Sequence, residues 1–272
     1  MKRNIIFLHG FTHNSKFFEP LKNAFKKENG DCKIYSPDFY GRGDEEVLER
    51  AREYNYETYT QQVLELVEGN NINEINCLLG SSMGGLVAMM VAKAKPHLVK
   101  KLILNDVGAQ VSKLEIARVG SYIKSDNFFD VYEDAFAALK KEFKECGLSL
   151  EELNYIADNY IIEVSDEILE GREAKKYKLN YDYKIAEAFW RRDKQIKIPD
   201  LDFSELWEEM IKKNPDIEII IFRGEKSNFL SHEHLQDMMG TAQVRKSVEF
   251  KNCGHLPMFL GDSQIKLAMK HI

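Results

Sequence analysis

The sequence predicts an α/β protein: a mostly parallel sheet of about six strands with helices on both faces, interrupted by an inserted helical segment. Three observations carry that prediction. Short apolar runs alternate with longer amphipathic ones near both ends of the chain, the pattern of strands joined by helical crossovers. The apolar run Ile75–Leu79 passes at once into Gly80-Ser81-Ser82-Met83-Gly84-Gly85, which reads as strand, sharp turn, helix. Between about residue 109 and residue 203 the strand signal gives way to a Glu-, Lys-, Tyr- and Phe-rich stretch with helical patterning.

Taken in order, Asn4–Leu8, Lys33–Ser36, Ile75–Leu79 and Leu102–Asn105 read as strands buried on both faces. Phe18–Lys27, Tyr56–Val67 and Met83–Ala94 between them space their apolar residues as helices do. Within the insertion, Phe128–Phe143 and Glu151–Ile161 are helical. From about 204 the alternation resumes, with strands at Ile217–Phe222 and Ser247–Phe250 and helices at His232–Met239 and Ser263–Ile272. The expected division is a core of residues 1–108 and 204–272 around an insertion of 109–203.

At 272 residues the chain is long enough for a substantial core, and 44% hydrophobic with 30% charged residues is ordinary for a globular protein. A net charge of −6 with interspersed signs argues against a nucleic-acid or acidic-membrane surface. The scattered Cys32, Cys77, Cys146 and Cys253 have no metal-type spacing. Ile5–Leu8 is too short for a secretory apolar region, so a reduced cytoplasmic location is expected.

In open parallel sheets, ligands bind beyond the carboxyl ends of the strands. Here each strand exit carries a polar, glycine-bearing turn: His9-Gly10-Phe11-Thr12, Pro37 to Gly43, the Ser82 elbow, Asn105-Asp106-Val107-Gly108, Arg223 to Asn228, and Asn252-Cys253-Gly254-His255-Leu256-Pro257. The sequence order is serine, then carboxylate candidates, then histidine. Ser82, at the apex of a strand-to-helix turn, would present its hydroxyl at the positive end of a helix. His255 is the natural base, because a serine hydroxyl is a weak nucleophile until its proton is removed.

His9-Gly10, Asp38-x-x-Gly41-Arg42-Gly43, Gly80-x-Ser82-x-Gly84-Gly85 and Gly254-His255 together resemble the α/β-hydrolase fold superfamily over nearly the whole chain. Leu104 to Gly108, running on to Arg118-Val119-Gly120-Ser121-Tyr122, is similar to the capped branch of small esterases and carbon–carbon bond hydrolases, with 109–203 as the helical cap. The resemblance implies Ser82 as nucleophile, His255 as base, and the backbone N–H groups of Met83 and Phe11 as the oxyanion hole. It places the acid at Asn228, in Arg223-Gly224-Glu225-Lys226-Ser227-Asn228, where the capped branch usually has aspartate. Asp106, at the preceding strand exit, is the substitute that some members use.

The expected activity is therefore cofactor-free serine hydrolysis of a small carboxylic ester, thioester or lactone. A weak or inactive hydrolase-fold ligand-binding or signalling protein is the alternative, and a carbon–carbon bond hydrolase the second. The expected partner is a small acyl substrate, with no nucleic acid, membrane or metal; a homodimer is left open. Gly41-Arg42-Gly43 is read as a structural turn braced by Asp38, and His232-x-His234 as surface. Phe128, Phe129, Tyr132, Phe136, Phe189 and Trp190 are read as packing of the helical cap, with only some of them also able to line an acyl pocket.

Overall fold

The computed structural model of the chain describes residues 2–123, 127–164, 176–188 and 202–272. Six strands form one parallel sheet: β1 (Arg3–Leu8), β2 (Cys32–Tyr35), β3 (Cys77–Ser81), β4 (Lys101–Asn105), and, beyond the insertion, β8 (Glu218–Gly224) and β9 (Val244–Phe250). Their order is β2-β1-β3-β4-β8-β9. Ile5 to Leu8 and Cys77 to Ser81 are wholly buried, which is why both read as unbroken apolar or small-residue runs rather than alternating ones. Full burial of each such Ile or Leu side chain stabilises the fold by about 1.5–3 kcal/mol.

The chain winds from β1 outward to β2, then returns across β1 to place β3 on its other side. That reversal opens a crevice at the carboxyl ends of β1 and β3, where the His9 and Ser82 turns lie. Helices α1 (Glu19–Glu28), α2 (Tyr56–Gly69) and α3 (Met83–Ala94) supply the crossovers, and α7 (Ser204–Lys213), α8 (His232–Met239) and α9 (Asp262–Met269) complete the carboxyl-terminal part. Helix α3 packs against α2 and α7, whereas α1 packs against α9. Asn55 and Ser231 accept backbone N–H groups at the first turns of α2 and α8, fixing where those helices begin.

Between β4 and α7 the chain forms α4 (Lys113–Tyr122), α5 (Tyr132–Glu142) and α6 (Leu150–Tyr160). It also forms β5 (Phe128–Phe129), β6 (Ile161–Glu163) and β7 (Tyr177–Leu179), an antiparallel sheet ordered β5-β7-β6. The sequence predicted no strands there. Strands of two or three residues are too short to display period-two alternation, and β5 takes the first residues of the helix expected over Phe128–Phe143. The two ends of this segment meet: Gln110 bridges Asp202, and the Phe203 N–H donates to the Ala109 carbonyl at 2.6 Å. Tyr132 packs against Phe136 and Tyr177 inside the segment, while Phe189 and Trp190 lie outside the described residues.

Candidate active site

The turn after β3 is built by two close approaches of backbone. A Cβ on Gly80 would stand 2.3 Å from the Gly84 carbonyl oxygen, and one on Gly84 would stand 2.3 Å from the carbonyl oxygen of Leu8. No side chain fits at either place, so glycine is required there. Between them Ser82 adopts φ +50° and ψ −119°, a region that non-glycine residues rarely occupy. Its backbone is pinned on both sides: the N–H donates to the Asn105 carbonyl at 3.0 Å, and the carbonyl accepts from Gly85 N–H at 2.9 Å. The elbow predicted from sequence is present, with Met83 opening α3 immediately behind the hydroxyl.

Ser82 Oγ lies 3.2 Å from His255 Nε2, and His255 Nδ1 lies 2.7 Å from Asp106 Oδ2. Asp106 is fully buried at the end of β4, with φ +56°. Aspartate tolerates this left-handed conformation better than most residues, and here it turns the carboxylate sideways toward the His255 loop. Three donors converge on that carboxylate: Gly224 N–H to Oδ1 at 3.2 Å, Ser227 Oγ–H to Oδ2 at 2.7 Å, and His255 Nδ1–H. An acceptor held this way fixes the proton on Nδ1 and leaves the Nε2 lone pair facing the Ser82 hydroxyl.

Asn228 does not hold the place that the sequence suggested for an acid. Its side chain is exposed, and the partner of His255 Nδ1 is Asp106. The loop explains why. Buried Arg223 gathers the carbonyls of Ser227 at 2.7 Å, Leu230 at 2.9 Å and Glu225 at 3.2 Å, curling residues 224–230 around its guanidinium. That curl turns Ser227 and Phe229 inward and Asn228 outward. Phe229 then stacks on the His255 ring, with centroids 4.0 Å apart.

Sequence reasoning missed the residues that connect the three strand exits. Asn105 Nδ2 donates to Ser81 Oγ at 2.8 Å and to the Pro257 carbonyl at 3.0 Å, tying the nucleophile turn to the histidine loop. The insertion braces the same loop, through Gly254 N–H to the Glu145 carbonyl at 2.6 Å and Cys146 Sγ–H to the His255 carbonyl at 3.1 Å. Asn105 stood within a flagged turn; nothing in the pattern around Glu145 and Cys146 marks them.

On the other wall, buried His9 shares its ring between the Gly10 carbonyl, 2.8 Å from Nδ1, and the Phe39 N–H, which donates to Nε2 at 3.0 Å. Burial pulls its pKa down to about 3, so it is a neutral structural side chain supporting the Gly10-Phe11 turn. Arg42 is also buried, donating to the Phe11 carbonyl at 2.9 Å and to the Tyr59 hydroxyl, with Asp38 accepting from Asp44 N–H at 3.2 Å. The Gly41-Arg42-Gly43 turn is structural, as expected. His232 and His234 open α8, and no metal-holding group of His, Cys, Asp or Glu occurs among the described residues.

A cavity with about 90 Å³ of water-accessible space opens onto Ser82 and His255. Phe11 and Met83 line it, as do apolar side chains from the insertion, among them Ile116, Val119 and Phe143. Phe128, Phe129, Tyr132 and Phe136 are not among its lining residues; the apolar wall is shared between the core, through Leu86 and Phe229 among others, and residues 111–146 of the insertion. Ser82, His255 and Asp106 are thus in hydrogen-bonded series at the mouth of a small apolar pocket. Such a series can take a proton from a serine hydroxyl as the oxygen attacks an electrophilic carbon.

Comparison with known proteins agrees with this architecture. The family model of the alpha/beta hydrolase fold matches residues 3–262. The chain belongs to that family, and it is an enzyme of the α/β-hydrolase class. It is 27% identical over 266 residues to a 3-hydroxybutyrate-oligomer hydrolase of Cupriavidus necator, covering 98% of this chain and 87% of that one. A Rickettsia typhi protein provisionally described as a hydrolase superposes with a TM-score of 0.81 at 29% identity, over 99% of this chain and 86% of the other. An alpha/beta hydrolase from Novosphingobium aromaticivorans gives 0.80 at 23% identity, over 100% and 90% respectively, a likeness of fold.

Proposed function

We propose that this enzyme hydrolyses small carboxylic esters, thioesters or lactones through an acyl-enzyme on Ser82. The observation that carries the reading is the unbroken hydrogen-bonded series from Ser82 through His255 to Asp106. His255 Nε2 accepts the hydroxyl proton as Ser82 Oγ attacks the acyl carbon, and Asp106 stabilises the imidazolium that forms. The oxyanion is received by the N–H groups of Met83 and Phe11, the first at the opening of a helix where backbone donors lack intrahelical partners. His255 then protonates the departing alcohol or thiol, and water repeats the sequence to free the acid.

The segment 109–203 acts as a cap in this reading, since α4 and α5 supply much of the pocket wall. The cavity is small and mostly apolar, which fits a short acyl group. The Cupriavidus necator relative is named a 3-hydroxybutyrate-oligomer hydrolase, which is consistent with a short acyl unit here. Asp106 supplies the charge that Asn228 lacks, which removes the reason for reading the chain as an inactive binding scaffold.

The test is a series of p-nitrophenyl esters from acetate to decanoate. Turnover that peaks at two to six carbons and disappears in Ser82→Ala is expected. Absence of turnover on every ester, on the matching thioesters and on short lactones would refute the reading.

A further inference from the structure

The apolar cavity has one polar corner that the proposed chemistry does not use. Thr12 follows Phe11 directly, and its Oγ1–H donates to Oε1 of Glu142, the last residue of α5, reaching from the insertion. Both residues line the cavity that holds Ser82 and His255. Among the described residues the other carboxyl oxygen, Oε2, has no protein partner. His13 completes the corner, its ring lying between Phe17 and Phe143 with centroids 5.0 and 5.3 Å away. Its Nδ1 is buried with no hydrogen-bond partner among the described residues.

From this corner we infer a recognition site for the acyl group: Glu142, with Thr12, selects acyl chains that carry a hydroxyl near the carbonyl, as in 3-hydroxyacyl esters. The inference rests on the ester-hydrolase reading above.

The position of the corner sets where the hydroxyl must be. Consecutive Cα atoms are about 3.8 Å apart, so Thr12 stands one residue beyond the proposed oxyanion donor Phe11. The inference accordingly assigns the corner to carbons close to the carbonyl rather than to the far end of the chain.

The electrostatics set what the group must be. Burial lifts the Glu142 carboxyl to about 7, opposed only by the Thr12 hydrogen bond, with no cation contributing. Burial also pulls His13 down to about 3, so the ring is neutral. Arg118, which also lines the cavity, already faces Glu115 at 2.7 Å and Glu145 at 2.6 Å. An anionic acyl group thus meets no uncommitted cation in these pairs, and an ammonium finds a carboxylate only above neutrality. A hydroxyl suits both forms of Glu142, accepting from the acid and donating to the carboxylate.

The experiment compares kcat/KM for p-nitrophenyl 3-hydroxybutyrate and p-nitrophenyl butyrate, alongside fluorophosphonate labelling of Ser82. The parent enzyme should favour the hydroxylated ester about tenfold, the worth of one added hydrogen bond. Glu142→Leu should erase that preference, and Glu142→Gln, which keeps a donor and an acceptor, should retain at least about a third of it. A side chain that merely supports the fold would move both esters together. A parent enzyme that favours butyrate, or a Glu142→Leu variant that keeps the tenfold ratio, overturns the inference while leaving the ester-hydrolase reading intact. Should Glu142→Leu fail to fold, the parent ratio and Glu142→Gln decide. Failure to hydrolyse either ester, with Ser82 unlabelled, overturns both readings.

Discussion

Asp106 reaches across the sheet to place a carboxylate oxygen 2.7 Å from Nδ1 of His255, 149 positions further along the chain. It does so from the exit of β4, not from the loop after β8, and its left-handed φ of +56° is what swings the side chain toward β8. The β8 loop contributes second-line support instead. Gly224 and Ser227 donate to Asp106, and Phe229 stacks on the histidine. In the proposed mechanism the acid thus comes from the exit of β4, and the β8 loop, where the family resemblance places it, orients it instead.

Exchange at these two positions should therefore have unequal effects. Asp106→Asn is expected to lower ester turnover by about 10⁴-fold, through loss of the charge opposite the imidazolium and of the tautomer it selects. Asn228→Asp should change turnover by less than about threefold, since an exposed carboxylate outside the series is screened by water. Steady-state kinetics on one short-chain ester measures both. A thousandfold gain from Asn228→Asp would show that the β8 loop holds the working acid position.

Asn105 should matter to stability and to turnover at once. Its amide bridges Ser81 and the Pro257 carbonyl, so Asn105→Ala removes both bonds in a fully buried setting. The expected loss is about 1–3 kcal/mol of unfolding free energy, the range for leaving a buried acceptor without a donor. Because the Ser82 turn and the His255 loop lose their common tie, kcat should fall while KM changes little. Urea unfolding together with kinetics on the same sample separates the two effects.

Acid should unfold the protein partly through His9. Its folded pKa is about 3 against an ordinary 6.5, so between those values the unfolded chain binds a proton that the folded one refuses. Stability from this group is complete above pH 6.5 and is lost as pH falls toward 3, at about 1.4 kcal/mol per pH unit. Glu142 acts in the opposite sense, since its raised pKa of about 7 favours the folded state as pH falls from 7 to 4.5. His9→Gln should remove the His9 slope and keep both that of Glu142 and that of His13, whose pKa burial likewise pulls down to about 3. The difference in unfolding free energy between parent and variant, measured by urea titration from pH 7 to pH 4, should shrink by about 1.4 kcal/mol per unit as pH falls.

The alternation of apolar runs was enough to read the six-stranded core, because strands buried on both faces leave uninterrupted hydrophobic segments such as Ile5–Leu8. Ser82 and His255 were legible for a related reason: the backbone geometry each requires leaves glycines in the local sequence. The acid was not fixed by sequence, since Asp106 and Asn228 differ only in which way a loop curls. That curl depends on Arg223 collecting carbonyls in three dimensions. The small antiparallel sheet escaped for want of length. Glu142 escaped because a glutamate in a lysine-rich helix end looks like any solvated surface until the helix is docked over the crevice.

The central claim is that Ser82 is an activated nucleophile served by His255. Incubation with a fluorophosphonate, followed by intact-protein and peptide mass spectrometry, tests it without assuming a substrate. The expected result is one adduct per chain, on Ser82, formed within minutes in the parent enzyme and slowed by at least about a thousandfold in His255→Ala. A parent enzyme that remains unmodified after prolonged exposure, or one modified equally fast without His255, would contradict the account.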